Sequence, residues 1–308
     1  MAQQFYIDGI DSAFIERQLE AVKAKSFDVK YANLQARSFI PVSHETPSGA
    51  ETVKFNSYDM FGLAKVIASY ANDLPRADVK VAEYRQAIKS LGCSYGYNVQ
   101  ELRAAQMSGL PLEQRKANAA RRANEQAVDS IAALGDTVNG LPGFLALSST
   151  LTYTPANSAA LGTAVWSGKT GQEMLADLVN ATSKIVVTTK DVEHPTTWLL
   201  PIAQYNLIAN TNLNTGIAAT VLSHFLATNP YIKEVLPWYR LTNAGSGGAI
   251  DRAVCYVRDA DHLWLEIPQE YEQFPAQQDG LEFEIPCHSR IGGVLCPYPS
   301  SVLYMDGL

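Results

Sequence analysis

The stretch GTAVWSGKTG at residues 162–171 places Gly168, Lys169 and Thr170 ahead of a helix-like run, which is how a phosphate-cradling loop ends. Such a loop needs its first glycine where Thr163 stands. Gly162 is one position off, and no apolar strand leads in, so the backbone N–H cradle is not expected. Cys287, His288 and Cys296 could supply three zinc ligands, yet a fourth donor is missing and both cysteines lie in apolar, strand-like sequence. The other histidines, His44, His194, His224 and His262, make no HExxH pair, and no serine sits in a GxSxG elbow. Glu266, Glu270, Glu272, Glu282 and Glu284 alternate with apolar residues, as carboxylates on the wet face of a strand do. The glycine-rich NAGSGGAID at 243–251 lacks GxGxxG spacing and reads as a surface loop. The expectation is no catalytic residue, no cofactor, no metal and no enzyme activity.

A different chemistry is raised by QRKANAARRANEQ at 114–126, where Arg115, Lys116, Arg121 and Arg122 crowd one short run. The chain as a whole carries 24 Lys and Arg against 31 Asp and Glu, a net charge of -7, so it repels polyanions. Glu125 follows Arg121 and Arg122 by four and three residues, which pairs part of the run locally. Ala120, Ala123, Ala127, Ile131 and Leu134 recur at spacings of three and four and predict one narrow apolar stripe. The run is therefore read as a structural helix rather than a nucleic-acid grip.

Elements able to carry these residues follow from periodicity. SAFIERQLEAVK at 12–23 reads as an amphipathic helix behind Ser12. ETVKFNSYD reads as a half-buried strand with Val53 and Phe55 on one face, and Leu63, Val66, Ile67 and Tyr70 keep a helical spacing. VKVAEYRQAIKSLGCSY, 79–95, reads as one long strand with Val79 and Val81 on one side and Tyr84 on the other. At about 3.3 Å per residue it spans roughly 55 Å, far more than usual. An isolated ribbon is marginal in water, so this one is expected to lie on a neighbouring subunit. Asn98 and Glu101 form a capping box, and a helix over 111–134, about 36 Å long, opens with Pro111. A Ser/Thr/Ala/Gly-rich loop at 148–171 precedes alternating helices and strands and a strand-rich tail, an α+β pattern.

A length of 308 residues admits one large domain or two modest ones. Charged residues are 18% of the chain against a usual ~25%, which leans towards an oligomer. Cys93, Cys255, Cys287 and Cys296 form no CxxC pair and fit free thiols in a reducing compartment. MAQQFYIDGIDSAF lacks the regions of a signal peptide, and no run of 18 apolar residues occurs, so neither export nor a membrane is expected.

The phrases FYIDGIDSAFIERQLEAV, GAETVKFNSYDMFGLAKVI, SYGYNVQELRAAQ, KANAARRANEQ, GLPGF and GLEFEIPCHSRIGGVLCPYP, in that order over nearly the whole chain, resemble tailed-phage major capsid proteins of the Hong Kong 97 fold, in the subgroup related to encapsulins. The resemblance implies an N-terminal arm at 1–47, an E-loop at 48–95 and a P-domain at 96–170 with a spine helix at 111–134. An A-domain at 171–280 and C-terminal strands at 281–308 returning to the P-domain complete it. It implies a shell subunit that closes as pentamers and hexamers into an icosahedral virion capsid around double-stranded DNA, contacted weakly and non-specifically, after assembly in the host cytoplasm. Portal and decoration proteins are implied partners, and a scaffold is expected to be a separate protein or absent. The implied assembly contacts are Val53, Phe55, Tyr58, Met60, Phe61, Val79, Val81 and Tyr84 on the hairpin, Arg115, Arg121, Arg122 and Glu125 on the spine helix, and Asn243 and Ser246 in a loop near a symmetry axis. No motif carries a lysine cross-link over to Lys54 or Lys65. The rival readings are an encapsulin-like compartment holding enzyme cargo and, from another class, a P-loop or thiol-dependent enzyme.

Overall fold

The computed structural model describes residues 32–62, 76–108, 112–159, 162–214, 216, 219–246, 248 and 250–308. The helices expected over 12–23 and around Leu63 to Tyr70, and Pro111, lie outside the described residues. From the amino end, α1 (Ala36–Phe39) and β1 (Val42–Ser43) precede a hairpin of β2 (Thr52–Phe61) and β3 (Asp78–Ala87). Then come β4 (Lys89–Asn98), α2 (Val99–Ser108), α3 (Leu112–Leu134) and β5 (Leu151–Tyr153). The middle of the chain holds α4 (Gly171–Thr188), β6 (Thr197–Leu200), α5 (Ile202–Asn210), α6 (Val221–Thr228), β7 (Glu234–Pro237) and β8 (Arg252–Tyr256). The tail supplies β9 (Trp264–Glu266), β10 (Gln269–Gln273), β11 (Gln277–Asp279), β12 (Glu282–Ile291), β13 (Gly293–Leu295) and β14 (Val302–Asp306).

The core is organised by a mixed five-stranded sheet of order β5-β14-β8-β6-β7. Its central strands are buried on both faces, as their unbroken apolar runs require. Successive residues take opposite sides. Val254, Tyr256, Leu199, Val302 and Tyr304 pack with Phe144, Trp238 and the end of α3, whereas Ala253, Cys255, Trp198, Leu303 and Met305 pack with α4 and α6. Helix α4 starts at a full capping box, Thr170 with Glu173, and α5 follows Pro201 at its N-cap.

The 79–95 stretch is not one strand of one ribbon. Ile88 is buried and divides it: β3 pairs with β2, while β4 pairs antiparallel with β12 along its whole length, from Lys89↔Ile291 to Asn98↔Glu282. Period-two sequence fixes which face a side chain takes but not which strand lies beside it. On α3 the buried stripe is Ala120, Asn124, Val128 and Ala132 with Asp129 and Ala133, so Ala123 is exposed and Leu134 is 50% exposed. The true face holds two polar side chains that found partners: Asn124 Oδ1 accepts from Ser289 Oγ at 2.7 Å, and Asp129 accepts the Ala36 N–H at 2.9 Å. A hydrophobicity count skips such positions.

At its C-terminus α3 stops on Gly135, whose φ of 78° is left-handed and whose N–H bonds Ile131 O at 2.8 Å. The chain folds straight back over this cap. A Cβ on Gly143 would meet Gly135 N at 2.0 Å.

Candidate assembly surface

The β2–β3 hairpin is in register from Thr52↔Ala87 to Phe61↔Asp78. Residues directly opposite share a face, so the pairs Tyr58↔Val81 and Met60↔Val79 form one apolar quartet. It is bare: Tyr58 is 61%, Met60 80%, Val79 49% and Val81 58% exposed. Nearer the base, the same face turns polar through Lys54, Asn56, Glu83 and Arg85, with Lys54 Nζ 2.9 Å from Glu83 and Arg85 on the same carboxylate. Those two cations hold the exposed Glu83 carboxyl below its ordinary range. The opposite face begins with Val53 and Phe55, both half-buried. Phe55 stacks on Tyr84 at 5.2 Å and meets Trp264 edge-on at 6.0 Å, and Phe61 lies under Lys80 Nζ at 5.4 Å. Gln86 Nε2 donates to Gly140 O at 2.8 Å, which pins the base. Sequence periodicity had set these faces correctly, and Trp264 is the partner it missed.

On α3, Arg115, Arg121 and Arg122 are exposed, and Glu125 is half-buried. Glu125 holds Arg37, with Nε at 3.2 Å, and Arg37 also reaches Glu270 at 2.7 Å. Burial pushes the Glu270 carboxyl up, but the Arg37 hydrogen bond and charge outweigh it and leave it below the ordinary range. Arg240 Nη2 grips Asp129 at 2.7 Å. Lys116 bridges Glu101, at 2.7 Å, and Gly96 O, at 2.8 Å, and with the Asn98 N–H it lowers the Glu101 carboxyl. Asn98 caps through the Gln100 N–H at 3.1 Å, so the expected box is met on the Glu101 side and shifted by one on the other.

The loop carrying Asn243 and Ser246 is exposed but tethered at both ends. Asn243 takes φ 58° and donates its N–H to Asp251 Oδ1 at 3.0 Å, while Ser246 donates its N–H to Asp306 Oδ2 at 3.0 Å. Asp306 and Arg252 form a two-pronged pair at 2.7 and 2.8 Å, and Arg252 also donates to Leu145 O and lies over the Tyr304 ring. Burial raises the Asp306 carboxyl; Arg252 and the Ser246 N–H more than offset it and hold it below the ordinary range.

The residues with chemical promise have structural employment. Lys169 is buried against Asp177, Nζ to Oδ2 at 2.5 Å, and Trp166 Nε1 donates to the same oxygen at 3.0 Å, so the ammonium faces the core rather than a phosphate. Thr170 is a helix cap. Glu282 and Glu284 are on a wet face, but Glu266 is 2% exposed and accepts from Trp264 Nε1 at 2.9 Å, which corrects its reading as solvated. Among the described residues no cluster of three or more His, Cys, Asp or Glu is placed to hold a metal ion, and no helix is long and apolar enough to cross a membrane.

The family described as Major capsid protein matches residues 62–308. The chain belongs to the major capsid protein family. Its fold is that of the capsid of Myoviridae phage XM1, with a TM-score of 0.80 at 18% identity over 95% of this chain and 98% of that one. The capsid of the native GTA particle matches with 0.67 at 11% identity, over 98% and 99%. The virus-like particle from Pyrococcus furiosus matches with 0.52 at 10%, over 87% and 90%. No curated protein matches. The capsid protein thus has the Hong Kong 97-like fold and is a shell-forming subunit of the virion capsid, associating with copies of itself.

Proposed function

We propose that this capsid protein closes as pentamers and hexamers into an icosahedral shell around phage double-stranded DNA, assembled in the host cytoplasm. The reading is carried by the hairpin quartet. Fully burying a side chain such as Val or Met is worth about 1.5–3 kcal/mol, and a two-stranded ribbon is marginal alone, so Tyr58, Met60, Val79 and Val81 gain most when another copy covers them. In this reading Val53, Phe55 and Tyr84 stiffen the base and Phe61 extends the contact. Arg115, Arg121 and Arg122 face a neighbouring copy from the spine helix, and Glu125 braces that helix from within. Asn243 and Ser246 lie towards a symmetry axis, on a loop that the Asn243 N–H to Asp251 and the Ser246 N–H to Asp306 keep in shape. The net charge of -7 supports a wall that touches packaged DNA weakly and without sequence preference. Portal, decoration and scaffolding proteins are the further partners this reading admits.

The test is Met60→Asp combined with Val79→Asp. Surface changes of this kind usually alter stability by within about 0.5 kcal/mol, so circular dichroism and melting should match the parent. Negative-stain images should show no closed particles. Normal particles from the variant would overturn the assigned surface. Parent particles holding nuclease-resistant DNA support the genome container, whereas particles holding a co-purified enzyme overturn it.

A further inference from the structure

Cys93 in β4 and Cys287 in β12 are register partners, side by side on the antiparallel pair. Residues directly opposed in an antiparallel pair have Cα atoms about 4.5 or 5.5 Å apart, and a disulfide needs Cα atoms about 4.4–6.8 Å apart, a span that both kinds of pair satisfy. Cys93 Sγ donates to Ala120 O and Cys287 Sγ to Ile285 O, each at 3.7 Å, and both thiols are free. Cys93 is half-exposed, while Cys287 is buried in a small cluster with Ala120 and Ile285 under helix α3. Tyr271 donates its hydroxyl to Cys287 Sγ at 3.0 Å.

We infer that Cys93 and Cys287 are a reactive dithiol that a small disulfide oxidant converts into a cross-strand disulfide, locking the strand that leaves the hairpin to the C-terminal strand β12. The roles follow from access. The Cys93 thiolate attacks one sulfur of oxidised glutathione, forming a mixed disulfide and expelling one glutathione thiolate, and the Cys93 proton passes to water. Cys287 gives its proton to water, its thiolate attacks Cys93 Sγ, the mixed disulfide breaks, the second glutathione leaves as a thiolate, and both released thiolates take up protons from water. Two protein thiols are oxidised and one glutathione disulfide is reduced to two thiols. Tyr271 stabilises the attacking Cys287 thiolate by its hydrogen bond; burial and that bond push its own hydroxyl up to about 12, so it remains a donor throughout. Burial and the neighbouring thiol push Cys93 above its ordinary value, so the reaction accelerates as pH rises.

The full chain is incubated with oxidised glutathione at mildly alkaline pH, the remaining thiols are alkylated under denaturing conditions, and peptides are mapped by mass spectrometry. The expected product joins the Cys93 and Cys287 peptides and is lighter than the dithiol by two hydrogens, with Cys255 and Cys296 alkylated. Cys287→Ser should stop at the glutathione adduct on Cys93, and Tyr271→Phe should slow closure several-fold without changing its product. A parent protein that keeps glutathione on Cys93, or in which both thiols end alkylated, overturns the inference.

Discussion

Asp177 depends on Lys169 for its charge balance, because both side chains are nearly inaccessible and share a 2.5 Å contact. Breaking a buried pair from one side leaves an uncompensated charge and costs about 3–5 kcal/mol, whereas replacing both partners with apolar groups is often neutral. Lys169→Ala should therefore lower the denaturant midpoint sharply, and Lys169→Met with Asp177→Leu should recover most of it. Had the lysine served a phosphate, the single variant would lose nucleotide binding and keep its stability. The Arg252–Asp306 pair makes a pH prediction. Asp306 is depressed in the folded protein, so its stabilisation is complete above the unfolded-chain value of about 3.9 and is lost as pH falls through the lower folded value. Melting temperature followed downward from pH 6 should drop in that window, and Asp306→Asn should start lower and flatten the drop.

The long helix is bounded by backbone geometry that two glycine substitutions can separate. Gly140 takes φ 69° with open space around its Cβ position, so Gly140→Ala costs only the left-handed strain, about 1–2 kcal/mol. Gly143 has an ordinary φ of -109°, but an added Cβ would strike the Gly135 backbone. Gly143→Ala must therefore move the helix cap off its turn, and its melting temperature should fall well below that of Gly140→Ala. Equal effects would show that the close approach is not rigid. The hairpin behaves differently as an element. Its base is fastened by the Phe55–Tyr84 stack, Trp264 and Gln86, whereas its distal quartet is largely exposed. Deleting residues 60–75 should thus leave a folded subunit that does not assemble, while collapse of the fold would show the ribbon to be part of its own core.

Copies that each carry a charge of -7 repel one another, and apolar contact must overcome that repulsion during assembly. Screening shortens the reach of the repulsion from about 10 Å at 0.1 M salt to about 3 Å at 1 M. The lowest protein concentration that yields particles, read by light scattering, should fall as salt rises. A threshold that climbs with salt would mean that opposite charges, such as the spine-helix arginines against acidic groups, dominate the contact.

Local order was legible wherever a periodic pattern met one environment. The alternation Val53, Phe55 against Lys54, Asn56 gave the faces of the hairpin, and the cap residue Asn98 marked a helix start. The faces of α3 differ from the hydrophobic pattern because Asn124 and Asp129 are polar and buried, hydrogen-bonded to Ser289 and Ala36, which lie far away in the chain. Glu266 was read as solvated for the same reason, since its partner Trp264 is bonded through a side chain that no hydropathy pattern reveals.

The chain's own order of residues determined its helices and strands, its lack of a complete phosphate or metal motif, and a family resemblance spread over many short phrases. Tertiary structure alone decided that the extended stretch changes partner at Ile88, that Lys169 turns inward, and that Cys93 stands opposite Cys287. Backbone preference and hydrophobic period act over a few residues, so they can be read along the chain. Pairing between strands nearly 200 residues apart depends on which loops close together, and only the folded packing selects among the pairings that the same pattern allows.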